Sequence, residues 1–133
     1  MAKTQGAHHI GLTVNNIEVV STFFIDVLGF NQVGEVPNYP AIFVSDGTIM
    51  LTLWQAANPE TATSFDRKQN IGLHHFALRV ENLDRLQDIH QTLLGHSDVD
   101  IEFPPEPLGS GPTHHMMFYI PGGIRMELIA LAS

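Results

Sequence analysis

A chain of 133 residues with a formal net charge of -8, eight histidines and no cysteine can form neither disulfides nor thiolate metal centres. Any metal must therefore be held by histidine and carboxylate, and the six scattered basic residues, Lys3, Arg67, Lys68, Arg79, Arg85 and Arg125, leave no basic footprint for nucleic acid. A hydrophobic content of 44% supports a core, yet no apolar run approaches the ~18 residues of a membrane span and no signal pattern opens the chain, so no membrane partner and a cytoplasmic location are expected.

In chain order, the first element lies in residues 7–17, Ala-His-His-Ile-Gly-Leu-Thr-Val-Asn-Asn-Ile. Strict alternation sets Ile10, Leu12 and Val14 on one strand face and His9, Gly11 and Thr13 on the other. Asn15 followed by Glu18 reads as a capping box. The helix it opens carries Val20, Phe23, Phe24, Val27 and Leu28 at helical spacing, until Gly29 ends it. A short strand near 31–36 is followed by residues 41–45 and 48–54, which flank Asp46-Gly47 as a two-residue hairpin turn. From Gln55 to Asn70 the chain is polar, contains Pro59 and lacks periodicity, which reads as a linker.

At residues 73–83 the opening segment returns 66 positions on as Leu-His-His-Phe-Ala-Leu-Arg-Val-Glu-Asn-Leu, identical at five of eleven positions. A repeat of this length marks a supersecondary unit written twice. Phe76, Leu78 and Val80 take the apolar face, and His75, Ala77 and Arg79 the other. The second helix starts near Asn82 or Leu83, presents Leu86, Ile89, Leu93 and Leu94, and stops around Gly95. Residues 103–112, with four prolines, can be neither helix nor central strand. Strands from His114 to Ile120 and Ile124 to Leu131 surround Pro121-Gly122-Gly123. The order β-α-β-β-(β) thus occurs twice, predicting an α+β domain with a strongly curved antiparallel or mixed sheet. Its modules span 7–58 and 73–131, joined by a linker over 59–72.

On the last strand Glu127 stands on the face opposite Met126 and Leu128, and a carboxylate there needs a partner or a metal. His9, His75 and Glu127 supply two imidazoles and one carboxylate, a set that leaves positions on a metal open to water or substrate. Spacing does not show that they converge, and a lone strand histidine is more often a hydrogen-bonded structural residue. Their equivalence in duplicated units favours the metal. His8 and His74, on the other face, read as structural or rim residues. Of His114 and His115 one faces the histidine-bearing side, and His115 is the candidate for an acid/base or supporting role. Arg79 shares a face with His75 and Arg125 with Glu127, where they either clamp an anionic substrate or pair with acidic neighbours. Trp54, Met117 and Tyr119 are candidates to shape a substrate site.

The stretches His-His-Ile-Gly-Leu-Thr-Val, His-His-Phe-Ala-Leu-Arg-Val, Phe-Ile-Asp-Val-Leu-Gly-Phe and Pro-Gly-Gly-Ile-Arg-Met-Glu-Leu-Ile resemble the vicinal oxygen chelate superfamily. That superfamily includes glyoxalase I, extradiol dioxygenases, fosfomycin-resistance transferases and bleomycin-resistance proteins. The resemblance runs from about Ala7 to Leu131. It implies paired βαβββ modules closing a cup-shaped sheet with helices on its outer face, around one divalent metal (Ni, Mn, Fe, Zn or Co). The implied ligands are His9, His75 and Glu127, and homodimers in which His9 of one chain meets His75 and Glu127 of another are common in the family. Glyoxalase I has a fourth ligand near the end of the first module, where this chain is read to carry apolar Leu51. The hairpin Ile-Pro-Gly-Gly also departs from the family's common Asp-Pro-Asp-Gly. The expected function is a metal-dependent, glyoxalase-like lyase or isomerase acting on a small substrate chelated through vicinal oxygens. The alternatives are an extradiol-type dioxygenase, a thiol transferase, and a non-catalytic binding protein of the bleomycin-resistance type.

Overall fold

The computed structural model describes residues 1–131, which divide into two compact units between Ala62 and Thr63. Each unit folds as βαβββ. In the first, β1 (His9–Val14) leads into α1 (Ile17–Thr22), then β2 (Asn31–Val36), β3 (Ala41–Ser45) and β4 (Met50–Gln55). Its sheet has the order β1-β4-β3-β2, with β1 parallel to β4 and the other pairs antiparallel. In the second unit β5 (Phe76–Val80), α2 (Leu83–Leu94), β6 (Asp100–Pro107), β7 (His114–Tyr119) and β8 (Arg125–Ala130) repeat the pattern in the order β5-β8-β7-β6. The described residues thus form two open, four-stranded mixed sheets, each with its helix. None of their helices is long and apolar enough to cross a membrane.

Alternation decides which sheet face the helix covers. Leu12 and Val14 on β1, Leu51 and Leu53 on β4 and Val44 on β3 are buried with Val20 and Phe24 of the helical segment. In the second unit Phe76, Leu78, Met116, Phe118, Met126 and Leu128 form the matching layer, closed by Leu86 and Leu93 of α2. Leu94, expected on the packed face, is 60% exposed. The opposite face carries His9 in the first sheet and His115 and Glu127 in the second.

Local details depart from the expected pattern in three places. The N-cap of α1 is Asn16, not Asn15: its side chain accepts from the Val19 amide at 3.2 Å, as Asn82 accepts from Arg85 in α2 at 2.9 Å. The repeat therefore includes its caps. The first helix does not run on regularly, because Phe23–Val27 widens into a π-helical stretch before Gly29 turns the chain at φ +76°. The β3–β4 connection spans four residues rather than two, since the Asp46 carboxylate accepts from the amides of both Thr48 and Ile49 and delays strand pairing to Met50. The proline-rich segment 103–107 lies in β6, at the sheet edge, with pairing irregularities between Ile101 and Phe103 and between Phe103 and Glu106.

Candidate active site

Glu127 is near the middle of β8, paired with Ala77 of β5 on one side and Met117 of β7 on the other. His75 immediately precedes β5 and directs Nε2 to 3.2 Å from Glu127 Oε1. Two ligands bound at about 2.0–2.2 Å to one ion lie about 3–3.5 Å from each other, so this donor pair suits one edge of a metal's coordination shell. The other carboxylate oxygen, Oε2, accepts from His115 Nδ1 at 2.6 Å. His115 is held in turn by the ring of Phe103, edge-on at 4.9 Å, and its Nε2 lies 4.0 Å from Glu106. His115 and Glu127 side chains are each only 12% exposed, so both are partly withdrawn from water.

Further along the same face is a second polar group. Glu102 on β6 accepts from Arg125 Nε and Nη2, both at 2.9 Å, and from the Tyr119 hydroxyl at 3.2 Å. Arg67, from the segment before β5, donates to Tyr119 and stands 3.8 Å from Glu102. The bidentate Arg125 bond is the main cause that lowers the Glu102 carboxyl to about 2 from its ordinary 4.5, and the same bond raises Arg125 above its usual value. A carboxylate whose folded value is depressed contributes stability above its unfolded value, and that contribution is lost as pH falls toward the folded one. Denaturation followed between pH 4.5 and about 2 should show this loss in the wild type. In Glu102→Gln the slope over that window should be shallower, and equal slopes would refute the assignment.

The guanidinium nitrogen of Arg125 not bonded to Glu102, Nη1, donates to His74 Nδ1 at 3.3 Å. Partial desolvation, and then the Arg125 charge, lower the His74 imidazole below its ordinary value. His74 Nδ1 also lies 2.7 Å from His75 Nδ1, and the first unit repeats this contact between His8 and His9 at 2.9 Å.

The second unit therefore brings together His75, Glu127, His115 and buried Met117, with Tyr119 and Arg125 beyond them. Arg79 is exposed on β5, paired with Ile129. His9 and Trp54 belong to the first unit, where His9 begins β1 and the Trp54 indole donates to Thr52 Oγ1 at 2.9 Å. Trp54 also meets Tyr39 and Phe43 at ring separations of 4.8 and 5.9 Å. Among the described residues no three histidine or acidic side chains form a metal-binding group. Strand register corrects the reading of Leu51. Gly11 pairs with Thr52 as Ala77 pairs with Glu127, so Thr52 is the first unit's counterpart of Glu127, while Leu51 is buried in the core. Arg67, Glu102, Glu106 and His74 were not singled out from the sequence as site residues. Only the doubled His-His at a fixed repeat pointed toward the last of these.

A family model described as Glyoxalase/Bleomycin resistance protein/Dioxygenase superfamily matches residues 6–128. No curated protein matches the chain. Among solved structures it resembles a glyoxylase/bleomycin resistance protein/dioxygenase domain from Frankia sp. EAN1pec, with TM-score 0.78, 18% identity and coverage of 98% of this chain and 95% of that one. It also resembles a lactoylglutathione lyase from Agrobacterium tumefaciens, at TM-score 0.68 and 18% identity, covering 97% and 96% of the two chains. A third likeness is the genomically encoded fosfomycin resistance protein FosX from Listeria monocytogenes, at TM-score 0.69 and 16% identity, covering 96% and 93%. At these identities the likeness is one of fold.

Proposed function

Because this chain belongs to the glyoxalase/bleomycin resistance protein/dioxygenase superfamily, we propose that it is a metal-dependent, glyoxalase-like lyase or isomerase acting on a small substrate with two neighbouring oxygens. The observation that carries this reading is the 3.2 Å approach of His75 Nε2 to Glu127 Oε1, with the second carboxylate oxygen already taken by His115. His75 and Glu127 would hold a divalent ion (Ni, Mn, Fe, Zn or Co), with His9 of the first unit as the third ligand. Repeat position supports His9, which begins β1 and lies 66 positions before His75, the residue that immediately precedes β5. When bound, the ion supplies Lewis acidity toward the substrate's vicinal oxygens.

The protein's own groups do the rest. His115 Nδ1 donates to Glu127 Oε2 across 2.6 Å, which makes them the acid/base pair beside the ligands. Met117, next to Glu127 in the sheet, gives an apolar wall. The Tyr119 hydroxyl, Arg79 and Trp54 are assigned to substrate contact. Thr52, a neutral hydroxyl at the counterpart of Glu127, leaves the ligand count at three.

Titrating the purified protein with Ni, Mn, Fe, Zn and Co salts is the direct test. One ion bound per site, lost in both His9→Ala and His75→Ala, is the expected result. A wild type that binds none would replace the enzyme by a small-molecule binding module. We further propose a homodimer in which His9 comes from a second copy. Mixing His9→Ala with Glu127→Ala protein should then restore one intact site per mixed dimer, and no recovery would assign all three ligands to one chain.

A further inference from the structure

We propose that His74 is a positioning residue that fixes which ring nitrogen of His75 carries the proton, with Arg125 setting the direction of the hydrogen bonds. This rests on the reading of His75 as a metal ligand. The argument starts from a group with no choice, since every polar hydrogen of a guanidinium is a donor and it has no acceptor. The contact of Arg125 Nη1 with His74 Nδ1 at 3.3 Å therefore makes that nitrogen an acceptor. A nitrogen that accepts has its lone pair exposed and no proton of its own. The hydrogen in the shorter contact, 2.7 Å between His74 Nδ1 and His75 Nδ1, must then belong to His75.

A neutral imidazole carries one proton, so a His75 protonated at Nδ1 has a bare Nε2. That bare nitrogen faces Glu127 Oε1 at 3.2 Å. Two lone pairs at this separation repel unless a proton or a metal ion lies between them, and the neutral tautomer that His74 selects leaves that place to a metal. On the far side Glu127 is oriented the same way, because His115 Nδ1 donates to Oε2 and leaves Oε1 turned to His75. The first unit repeats the spacing, with His8 Nδ1 2.9 Å from His9 Nδ1 at repeat-equivalent positions. In the second unit the doubled His-His is thus one functional dipeptide, its first ring orienting its second. His74 is not a ligand in this scheme; it acts through His75.

The test reads the proton directly. In metal-free protein labelled with ¹⁵N at histidine, the ring-nitrogen shifts of His75 should show a proton on Nδ1. In His74→Phe, which keeps a ring but removes the acceptor, the Nδ1 proton should be lost in favour of Nε2, and Zn²⁺ affinity should fall about tenfold or more. His74→Asn, whose side-chain carbonyl can accept in place of Nδ1, should restore both. A wild-type His75 protonated on Nε2 alone, or a His74→Phe variant with unchanged ring shifts, would overturn the proposal. Failure of the wild type to bind Zn²⁺ would instead count against the metal reading, while the ring shifts would still decide the role of His74.

Discussion

Glu127→Gln is expected to abolish divalent-metal binding while leaving the fold intact, a combination that few substitutions at a half-buried carboxylate produce. The amide has the same shape as the carboxylate. Its carbonyl oxygen can keep the 2.6 Å bond from His115 Nδ1, and its NH₂ group would point at His75 Nε2, now 3.2 Å from Oε1. A bare Nε2 accepts from that amide, so both partners of Glu127 stay satisfied and no buried group is orphaned. The same hydrogen bond occupies the lone pair a metal would use. Affinity should fall by more than the roughly 10–100-fold that loss of an outer partner costs, and the unfolding midpoint should stay the same or rise. Calorimetric titration beside urea denaturation reads both quantities. Retained metal with a lowered midpoint would show Glu127 to be a structural residue and not a ligand.

Phe24→Ala should produce the largest loss of stability in the first unit. The ring is fully buried and meets Phe23 edge-on at 5.5 Å and Phe30 at 5.2 Å, so truncation leaves a void lined by rigid aromatic walls. Its carbonyl also accepts from the Phe30 amide at 3.0 Å, which ties the π-helical stretch to the start of β2 and limits how far the backbone can collapse into the gap. Removal of a buried Phe side chain costs about 3–5 kcal/mol, a large share of the ~5–15 kcal/mol that holds a domain folded. Urea titration should show the midpoint drop, with Phe24→Leu much milder. A loss below about 1 kcal/mol would mean that neighbouring side chains refill the site.

The 66-residue repeat made most of the fold legible, because alternation at Ile10, Leu12 and Val14 and again at Phe76, Leu78 and Val80 leaves one assignment of faces in each unit. Errors arose where a side chain competes with the backbone for a local hydrogen bond. Asn15 and Asn16 are chemically alike, and only the bond to Val19 distinguishes them. Asp46 captures two amides and lengthens a turn that its Asp-Gly signal made two residues long. Misreading Leu51 for Thr52 was a slip of one position, which in a strand exchanges core for open face. Repeat position favoured a shared role for His9 and His75, while spacing did not show that either converges with Glu127. The Arg125–His74–His75 chain was not legible, since it joins residues 50 and 51 positions apart whose rotamers no periodicity encodes.

The proline-bearing edge of the second sheet guards against strand addition from outside. β6 is one outer strand of its sheet, and Pro104, Pro105 and Pro107 leave it fewer amide hydrogens to offer an incoming strand. The outer strand of the first sheet, β2, is interrupted by its own register shift between Gln32 and Gly34 and carries Glu35. Such edges are poor templates for strand addition, and so for runaway aggregation or domain swapping through continuous sheets. Any contact between copies along these edges would have to rest on side chains and not on strand pairing.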